Sequence, residues 1–369
     1  MNILIIIDSL GSGGAERSTA VISDYLFEKQ VPFTIICLDR KEIGVQQKLQ
    51  ERGYDIRFLE KGSFYKQSKL ISKIINEGDY CVVHSILFRS NLRTRFAKLF
   101  VKFNHLESLV NTTYSKVRFE DKRVNSKLLS IYKKIDAITA RKFVDHFHSI
   151  THTVKNHYID ELHLNGNNFT VIYRGRKPLL ENYISKPTTD LPRLINLGRH
   201  EFQKGQLNLL KAVHELNKQG YRFTLDIYGR EGQVTSELKA FIAKNALSEI
   251  AFLRGFSHDV PQKLLESDIF VFPSLYEGLG GSMIEAQSAA LPIACNDIPV
   301  LREVVNGEQN AQLFNVDNVE SIVIAIKFFL DNPEKMHEYG KRSLMNFEAN
   351  FLEKQNNAKM LELYENLCK

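Results

Sequence analysis

The feature that most constrains the fold is a short apolar strand that runs directly into a glycine cluster and then into a helix. Ile269 to Phe272 is an apolar run closed by Pro273, which is typical of a buried parallel strand. Three glycines follow within four positions, and good helix formers resume at Met283. A helix that begins on such a loop presents unpaired N–H groups and the positive end of its dipole, so it attracts anions, phosphate above all. The segment therefore predicts a phosphate-binding unit.

Two carboxylates frame this loop: Glu277 precedes the glycines, and Glu285 follows eight positions later. A carboxylate is unfavourable beside a phosphate site unless it has another partner. Because an ionised carboxylate only accepts hydrogen bonds, the hydroxyl groups of a sugar or ribose fit it well. The alternative, a solvated Glu285 and a Glu277 that faces the helix dipole, does not require the glycines between them. We therefore favour a role in binding hydroxyl groups.

The run Phe-Pro-Ser-Leu-Tyr-Glu-Gly-Leu-Gly-Gly, with Glu285 eight positions after Glu277, resembles the signature of retaining glycosyltransferases of family 4. The resemblance is strong over most of the C-terminal half and looser over the N-terminal half. It implies the GT-B fold, in which two Rossmann-like α/β domains with parallel sheets face a central cleft. It also implies that the C-terminal domain holds a nucleotide-diphosphate sugar and the N-terminal domain the acceptor.

Length and element order agree with this architecture. At 369 residues the chain exceeds what one hydrophobic core usually sustains, and strands that alternate with helices predict parallel sheets covered on both faces. A Pro-rich break after the first half predicts the linker. We expect an acceptor-side domain over 1–176, a linker over 177–191, a donor-side domain over 192–345 and a terminal helix over 346–369. In the resemblance, this last helix packs back on the first domain.

A second strand–glycine–helix unit opens the chain. Residues 2–8 form an apolar strand, and a glycine-rich loop then leads into a segment with helical spacing. A dinucleotide-binding fingerprint fails here, because its third glycine would fall on Glu16. In the resemblance, Gly13 and Gly14 belong to the loop that faces the donor diphosphate.

Two cations flank the loop that follows the strand from Arg193 to Leu197. Arg199 and Lys204 lie at the carboxyl end of that strand, where open α/β sheets bind ligands. The resemblance implies that both grip the donor diphosphate, whose growing charge must be neutralised as the glycosidic bond breaks. The catalytic residues that the resemblance implies are Glu277, Arg199 and Lys204. Its implied donor contacts are Glu285, Gly13, Gly14, Gly278, Leu279, Gly280, Gly281, Gly229 and Phe256.

The N-terminal half departs from the family pattern at one position. Many relatives place a histidine that touches the donor sugar after the strand that here ends near Asn111, and this chain has none there. Thr113 or Tyr114 is expected to supply a hydrogen bond instead. His84 ends another strand, so a place at the ligand and a structural role are both open for it.

A metal or a cofactor is not expected. Asp8, Asp226 and Asp297 each stand alone, so the sequence has no Asp-x-Asp cluster of the metal-dependent type. A covalent nucleophile is the usual explanation for retention of configuration. A site rich in cations and poor in bases instead favours a same-face mechanism, in which the leaving phosphate accepts the proton of the acceptor.

Basic residues concentrate between Arg93 and Asp145, where thirteen Lys and Arg accompany five Asp and Glu, a local charge of +8 in a chain of formal charge +6. This segment suits an anionic membrane face or a lipid-linked pyrophosphate, although a solvated helix face explains it equally well. It lacks a nucleic-acid-binding motif, so we expect no nucleic-acid partner. Neither an apolar run of the roughly 18–20 residues that span a bilayer nor a cysteine spacing for a metal is present. We therefore expect four reduced thiols in a cytoplasmic protein that works at the inner membrane face.

The resemblance thus implies a metal-independent retaining hexosyltransferase. It would move a sugar from a nucleotide-diphosphate sugar, with a UDP-sugar favoured, to a glycan or lipid-linked acceptor in bacterial surface polysaccharide synthesis. Two alternatives stay open: a non-catalytic nucleotide-sugar-binding protein of the same fold, and a sugar-nucleotide epimerase.

Overall fold

The computed structural model describes residues 1–121, 124–184 and 189–369, which form two compact units. Unit 1 comprises Met1–Arg174 and Glu353–Lys369, and unit 2 comprises Gly175–Leu352. The boundary expected at 345 falls at 352, because a helix of unit 2 continues to Asn350. Of the expected linker, residues 185–188 lie outside the described residues, and the rest belongs to unit 2.

Unit 1 is built on a parallel sheet of seven strands. The strands are β1 Ile3–Ile7, β2 Phe33–Cys37, β3 Ile56–Phe58, β4 Val82–Ile86, β5 His105–Leu109, β6 His146–Ser149 and β7 Phe169–Val171. Their order across the sheet is β3-β2-β1-β4-β5-β6-β7. Residues of β1 alternate between two apolar clusters, with Ile3, Ile5 and Ile7 in one and Leu4 and Ile6 in the other. Both faces of the sheet are therefore buried, which explains why β1 reads as a continuous apolar run.

The helices of unit 1 connect these strands as the alternating pattern predicts. They are α1 Gly14–Glu28, α2 Gln46–Glu51, α3 Phe64–Glu77, α4 Phe88–Ala97, α5 Lys116–Glu120, α6 Ser126–Phe143 and α7 His152–Leu162, with a 3₁₀ turn over Gly166–Asn168.

Unit 2 repeats this design with a parallel sheet of six strands. The strands are β8 Arg193–Leu197, β9 Thr224–Tyr228, β10 Ala251–Gly255, β11 Ile269–Phe272, β12 Ile293–Asn296 and β13 Ala311–Phe314. Their order is β10-β9-β8-β11-β12-β13, so β8 and β11 are neighbours at the point where the strand order reverses. Ligands of open α/β sheets bind at the carboxyl ends of strands beside such a point.

The helices of unit 2 cover both faces of its sheet. They are α8 Gln206–Lys218, α9 Thr235–Lys244, α10 Val260–Leu265, α11 Gly281–Ser288, α12 Pro299–Val304, α13 Val319–Asp331 and α14 Pro333–Asn350, with 3₁₀ turns over Phe202–Lys204 and Gly307–Gln309. An apolar cluster of the unit joins β8, β9 and β11 to residues of α8 and α13.

The terminal helix α15, Glu353–Leu367, returns to unit 1. Tyr364 is fully buried, and Met360 and Leu363 join the apolar cluster under β1. Beyond the helix, Cys368 forms a disulfide with Cys81, which lies 287 positions earlier. The expectation of four reduced thiols is therefore wrong for this pair, because only the return of α15 brings the two cysteines together. Cys37 and Cys295 are buried free thiols, and burial raises the pKa of Cys37 to about 12.

Candidate active site

The segment from Ile269 to Ser288 in unit 2 forms the strand, loop and helix that its sequence predicts. β11 ends at Phe272, and α11 begins at Gly281 after the glycine-bearing loop. Gly280 caps the helix with φ of +74°, and a Cβ at this position would lie 3.3 Å from Phe272 and from Leu301. A left-handed, closely packed position favours glycine. The cap supplies no side-chain hydrogen bond, so the first N–H groups of α11 are left for a ligand.

Two residues implied to be catalytic meet in an ion pair within unit 2. Nζ of Lys204 contacts Oε1 of Glu277, and both side chains are mostly buried. The same Nζ lies 5.5 Å from the ring centroid of Phe272. The pair joins residues 73 positions apart, at the carboxyl ends of the adjacent strands β8 and β11.

The loops after β8, β9 and β11 approach one another so closely that glycine is required. Gly205 has φ of +63°, and a Cβ there would lie 2.1 Å from the carbonyl oxygen of Pro273. A Cβ on Gly229 would lie 1.9 Å from the carbonyl oxygen of Gly198. Arg199 is the next residue along this packed loop, and it is exposed. Gly229 therefore acts first through packing, which fixes the loop that carries Arg199.

An aromatic platform lies after β10. Phe256 is exposed, the guanidinium carbon of Arg230 lies 4.7 Å from its ring centroid, and the His258 ring packs edge-on at 4.8 Å. A cation and an aromatic ring in this arrangement suit stacking on a flat ring. Arg230 belongs to the loop after β9, so two neighbouring strand ends supply the platform.

Glu285 is paired with a residue that sequence reasoning missed. Nε of Arg176 donates to Oε1 of Glu285 over 2.8 Å. Nη2 of Arg176 lies 2.6 Å from the position that a Cβ on Gly281 would occupy, so the guanidinium covers the start of α11. Arg176 stands in a segment that reads as a break in the alternating pattern, 109 positions before its partner. The available signal was two arginines around one glycine, Arg174-Gly175-Arg176.

In unit 1 the glycine loop before α1 is open. Gly13 caps the helix without a side-chain hydrogen bond, and Gly13 and Gly14 are both exposed. A Cβ on Gly13 would lie 2.4 Å from a carboxylate oxygen of Glu16, whose side chain folds back over the loop. Like α11, α1 begins after a glycine that supplies no side-chain cap, although Gly13 is extended where Gly280 is left-handed.

His84, for which two roles were open, is a core residue in unit 1. It is 3% exposed; its Nδ1 lies 2.7 Å from the Tyr364 hydroxyl, and its Nε2 lies 2.7 Å from Oγ of Ser108. Oγ of Ser108 lies 2.8 Å from Nδ1 of His148. Burial lowers the pKa of His84 well below its usual value, and it lowers the pKa of His148 to about 4. Because both ring nitrogens face protein partners, we remove His84 from the proposed site.

Tyr114 is also buried. It is 2% exposed, and its hydroxyl donates to Oδ2 of Asp136 over 2.7 Å. Asp136 in turn pairs with Arg95 over 2.6 Å, and Arg95 also pairs with Glu107. The expectation that Tyr114 contacts a sugar therefore does not fit its surroundings.

Thr113 differs from its neighbour, because it is only half-buried. Its Oγ1 accepts a hydrogen bond from the Tyr158 hydroxyl over 3.1 Å. A contact between Thr113 and a sugar stays a prediction.

The three solitary aspartates all have protein partners. Asp8 accepts hydrogen bonds from the N–H and hydroxyl of Ser90, and burial raises its pKa. Asp226 pairs with Arg254 over 2.5 Å, and Asp297 pairs with Arg302. Within 1–121, 124–184 and 189–369, no group of three or more His, Cys, Asp or Glu side chains is placed to hold a metal ion.

The basic segment of unit 1 is partly neutralised. Arg95 is buried in its ion pairs, Lys98 pairs with Asp145, and Lys133 pairs with Glu161. Helix α6 nevertheless exposes apolar side chains, each between 36% and 62% accessible: Leu128, Ile131, Tyr132, Ile135 and Ile138. Four exposed cations share this helix: Lys127, Lys134, Arg141 and Lys142. In the part of the chain that the structure describes, every helix is too short or too polar to cross a bilayer.

Solved structures identify the fold. A structure of HepE from Anabaena in complex with UDP superposes with a TM-score of 0.84, covers 99% of this chain and 100% of its own, and is 16% identical. A glycosyltransferase from Rickettsia africae gives a TM-score of 0.82 at 17% identity and covers 100% of this chain and 98% of its own. The two units, each a parallel sheet covered by helices, define the GT-B fold.

Sequence comparison finds a family match in the second half of the chain. Residues 183–344 match the model of the family described as glycosyl transferases group 1. This matched part of the chain contains Lys204, Glu277 and Glu285.

Curated relatives match to different extents. N-acetylgalactosamine-N,N'-diacetylbacillosaminyl-diphospho-undecaprenol 4-alpha-N-acetylgalactosaminyltransferase of Campylobacter jejuni is 26% identical over 92% of this chain and 93% of its own length. The 2-deoxystreptamine glucosyltransferase of Streptomyces kanamyceticus is 29% identical, but its match covers only 37% of this chain and 36% of that enzyme. The matches to the Streptomyces enzyme and to two other relatives cover only about a third to a half of the length of those proteins.

Proposed function

We propose that this protein is a retaining glycosyltransferase of family 4 that uses a nucleotide-diphosphate sugar. The Lys204–Glu277 pair carries the proposal, because it places a cation and a hydroxyl acceptor at adjacent strand ends of unit 2. The N-terminus of α11, which has no side-chain cap, follows Glu277 by four positions. A diphosphate and a sugar are the two chemical groups that such an arrangement fits.

Each part of the donor has a candidate partner in unit 2. The N–H groups of Gly280 and Gly281 would hold the diphosphate, with Gly278 and Leu279 shaping the loop. Glu285 would accept hydrogen bonds from the ribose. Phe256 would stack on the base beside Gly229. Arg199 and Lys204 would stabilise the charge that develops on the departing diphosphate, since fixed cations are most effective where charge appears in the transition state.

In unit 1, the resemblance assigns the loop at Gly13 and Gly14 to binding a diphosphate. Its exposed, uncapped N–H groups support this assignment. The assignment of unit 1 to the acceptor follows from the resemblance.

We assign Glu277 to the sugar hydroxyls rather than to covalent catalysis. Its carboxylate is engaged by Lys204, which reduces its strength as a nucleophile and leaves it suited to accept hydrogen bonds. The leaving phosphate would then accept the acceptor's proton on the same face. Mass spectrometry of a Glu277→Gln variant after incubation with donor tests this mechanism: we expect no covalent adduct, and a glycosylated side chain elsewhere in the protein would contradict it.

The nature of the substrates is inferred from the relatives. UDP is the favoured nucleotide, because HepE is solved with UDP. A lipid-linked acceptor in bacterial surface polysaccharide synthesis is favoured, because the Campylobacter enzyme is named for a diphospho-undecaprenol compound. We propose that the reaction needs neither metal nor cofactor and takes place at the cytoplasmic face of the membrane.

Donor hydrolysis tests the proposed activity. The purified protein, without metal, is incubated with UDP-, GDP- and ADP-sugars, and release of each diphosphate is followed by chromatography. We expect release from one donor, and a loss of at least about a hundredfold in Glu285→Ala and Arg199→Ala. Arg222→Ala, at an exposed residue just before β9 and thus at the opposite edge of the sheet, is the control that retains activity.

The same assay separates the alternatives. Donor binding without release, even when lipid-linked acceptors are supplied, would favour the non-catalytic binding protein. Conversion of the donor into a second sugar nucleotide would favour the epimerase.

We also propose that the exposed face of α6 contacts an anionic membrane. The only acidic residue of this helix, Asp136, is buried, so its exposed charges are all basic and lie beside an apolar stripe. Such a helix partitions into the interface of a bilayer that carries anionic lipid. Self-association through the same face would bring like charges together, which argues against a second copy as the partner.

Vesicle flotation tests this surface, with phosphatidylcholine vesicles that do or do not contain phosphatidylglycerol. We expect binding only to the anionic vesicles, and a loss of about tenfold in an Ile131→Ser, Ile138→Ser double variant. Ile324→Ser, at an exposed apolar residue of α13, is the matched control that keeps wild-type binding. Equal flotation of all three proteins, or a dimer in gel filtration that only the α6 variant abolishes, would contradict the proposal.

A further inference from the structure

Arg176 connects two parts of the proposed donor site. Its Nε donates to Oε1 of Glu285 over 2.8 Å, and its Nη2 lies over Gly281 at the start of α11. The guanidinium therefore lies between the carboxylate assigned to the ribose and the helix N-terminus assigned to the diphosphate. An arginine in this position affects both groups.

The backbone around Arg176 is fixed independently of this ion pair. Its N–H donates to the carbonyl oxygen of Phe351 over 2.8 Å, and Arg176 forms an isolated β-bridge with Leu352. Its Nη1 donates to the carbonyl oxygen of Gly175 over 2.9 Å. Because the main chain and the guanidinium are both held, little side-chain freedom is left to lose when a ligand binds. Arg176 is thus pre-organised, which suits a residue that orients another.

We propose that Arg176 is a positioning residue that acts through Glu285 and makes the donor site selective for ribonucleotides. Its bond to Oε1 leaves Oε2 of Glu285 to accept a hydrogen bond from the ribose 2′-hydroxyl. Its charge offsets the repulsion that an uncompensated carboxylate would exert on the donor diphosphate. A site built to bond a hydroxyl binds the analogue that lacks it more weakly, because the partly buried carboxylate of Glu285 then loses that hydrogen bond. This inference rests on the donor site proposed above.

Calorimetric binding of paired nucleotides tests the inference. UDP, GDP and ADP are tested first. Each nucleotide that binds is then compared with its 2′-deoxy counterpart. We expect the wild type to bind the ribonucleotide at least about tenfold more tightly than the deoxynucleotide. In Arg176→Met we expect this ratio to fall to about threefold or less, because the carboxylate is no longer held. Arg176→Lys should recover part of the ratio, since an ammonium group pairs with Glu285 without the fixed geometry of a guanidinium.

Arg342→Met is the matched control. Arg342 lies on α14 in unit 2 and forms an exposed ion pair with Glu338, so its loss should change neither the affinity nor the ratio. Thermal unfolding is recorded for every variant, because a purely structural role of Arg176 would lower the melting temperature and leave the ratio unchanged.

The outcomes separate the two proposals. An Arg176→Met protein that keeps the wild-type ratio overturns the role of Arg176. A wild type that binds a ribonucleotide and its 2′-deoxy form equally overturns only this inference. A wild type that binds none of the three nucleotides overturns the donor site, and this inference with it.

Discussion

At Gly205 the backbone packs directly against the backbone of a neighbouring loop. The residue combines a left-handed φ of +63° with a Cβ position 2.1 Å from the carbonyl oxygen of Pro273. Alanine there would strain the left-handed backbone. It would also push apart the loop that carries Lys204 and the loop that begins at Pro273. We expect Gly205→Ala to lower the free energy of unfolding by about 3 kcal/mol, as measured by urea denaturation.

Gly220→Ala is the control for this prediction. Gly220 has φ of +85°, but its Cβ would meet nothing within 4 Å. This variant should lose only about 1 kcal/mol, the cost of the left-handed conformation alone. Equal losses in the two variants would show that loop packing at Gly205 contributes nothing.

Residue-level prediction from sequence works best where the chemistry is local. The segment from Ile269 to Glu285 contains its own strand, glycines and helix start, so its form could be predicted. Arg176 could not be predicted in the same way, because its partner is 109 positions away in the chain. His84 shows the opposite problem: the sequence suggests a strand end that suits a ligand, but His84 lies in the middle of β4, and Tyr364 of the returning helix covers it.

At the scale of elements, α15 is a C-terminal helix that packs against N-terminal strands. Its apolar face packs under β1, and the disulfide between Cys368 and Cys81 fastens its end beside β4. We expect dithiothreitol to lower the melting temperature of the wild type, with a loss of about 2–4 kcal/mol in the free energy of unfolding. The measurement is thermal unfolding with and without reductant, together with a mass map of peptides from the unreduced protein.

A double variant, Cys81→Ser with Cys368→Ser, is the control for the disulfide. Its melting temperature should be lower and should not respond to dithiothreitol. Rapid alkylation of both cysteines in native protein purified without reductant would contradict the disulfide.

The order of helices and strands follows from the sequence, because the apolar periodicity changes from strand to helix at each loop. The end of unit 2 does not follow in the same way. α14 and α15 are both helical and are separated by only Phe351 and Leu352. The resemblance implies that the last helix packs on the first domain, but the sequence does not show that unit 2 continues to Leu352 rather than ending at 345.

At the scale of the whole molecule, buried histidines couple stability to pH. Burial is the main cause that lowers the pKa of His105 to about 3 and that of His148 to about 4. Unfolding returns both to about 6.5, so the unfolded chain binds more protons below that value. Stability is therefore complete above about pH 6.5 and is lost as the pH falls toward 4.

Urea denaturation at about pH 7.5 and pH 5 measures this effect, and we expect a loss of about 2 kcal/mol for each of the two histidines at the lower pH. His163→Asn changes an exposed histidine and should keep the full pH dependence. His148→Asn should show a smaller difference between the two pH values. A wild-type stability that is equal at both pH values would rule out this coupling.

The path of the chain through unit 2 has a consequence for modularity. The segment enters this unit at Gly175 and leaves it at Leu352, and the bridge between Arg176 and Leu352 places these two ends side by side. In topological terms, unit 2 is an insertion in a chain whose first and last segments together make unit 1. An inserted segment whose two ends lie side by side can be replaced as a whole by that of a related protein, because only the two neighbouring junctions must fit the rest of the chain. The donor site that we propose in unit 2 would therefore be transferred as a single segment while the sequence of unit 1 stays the same.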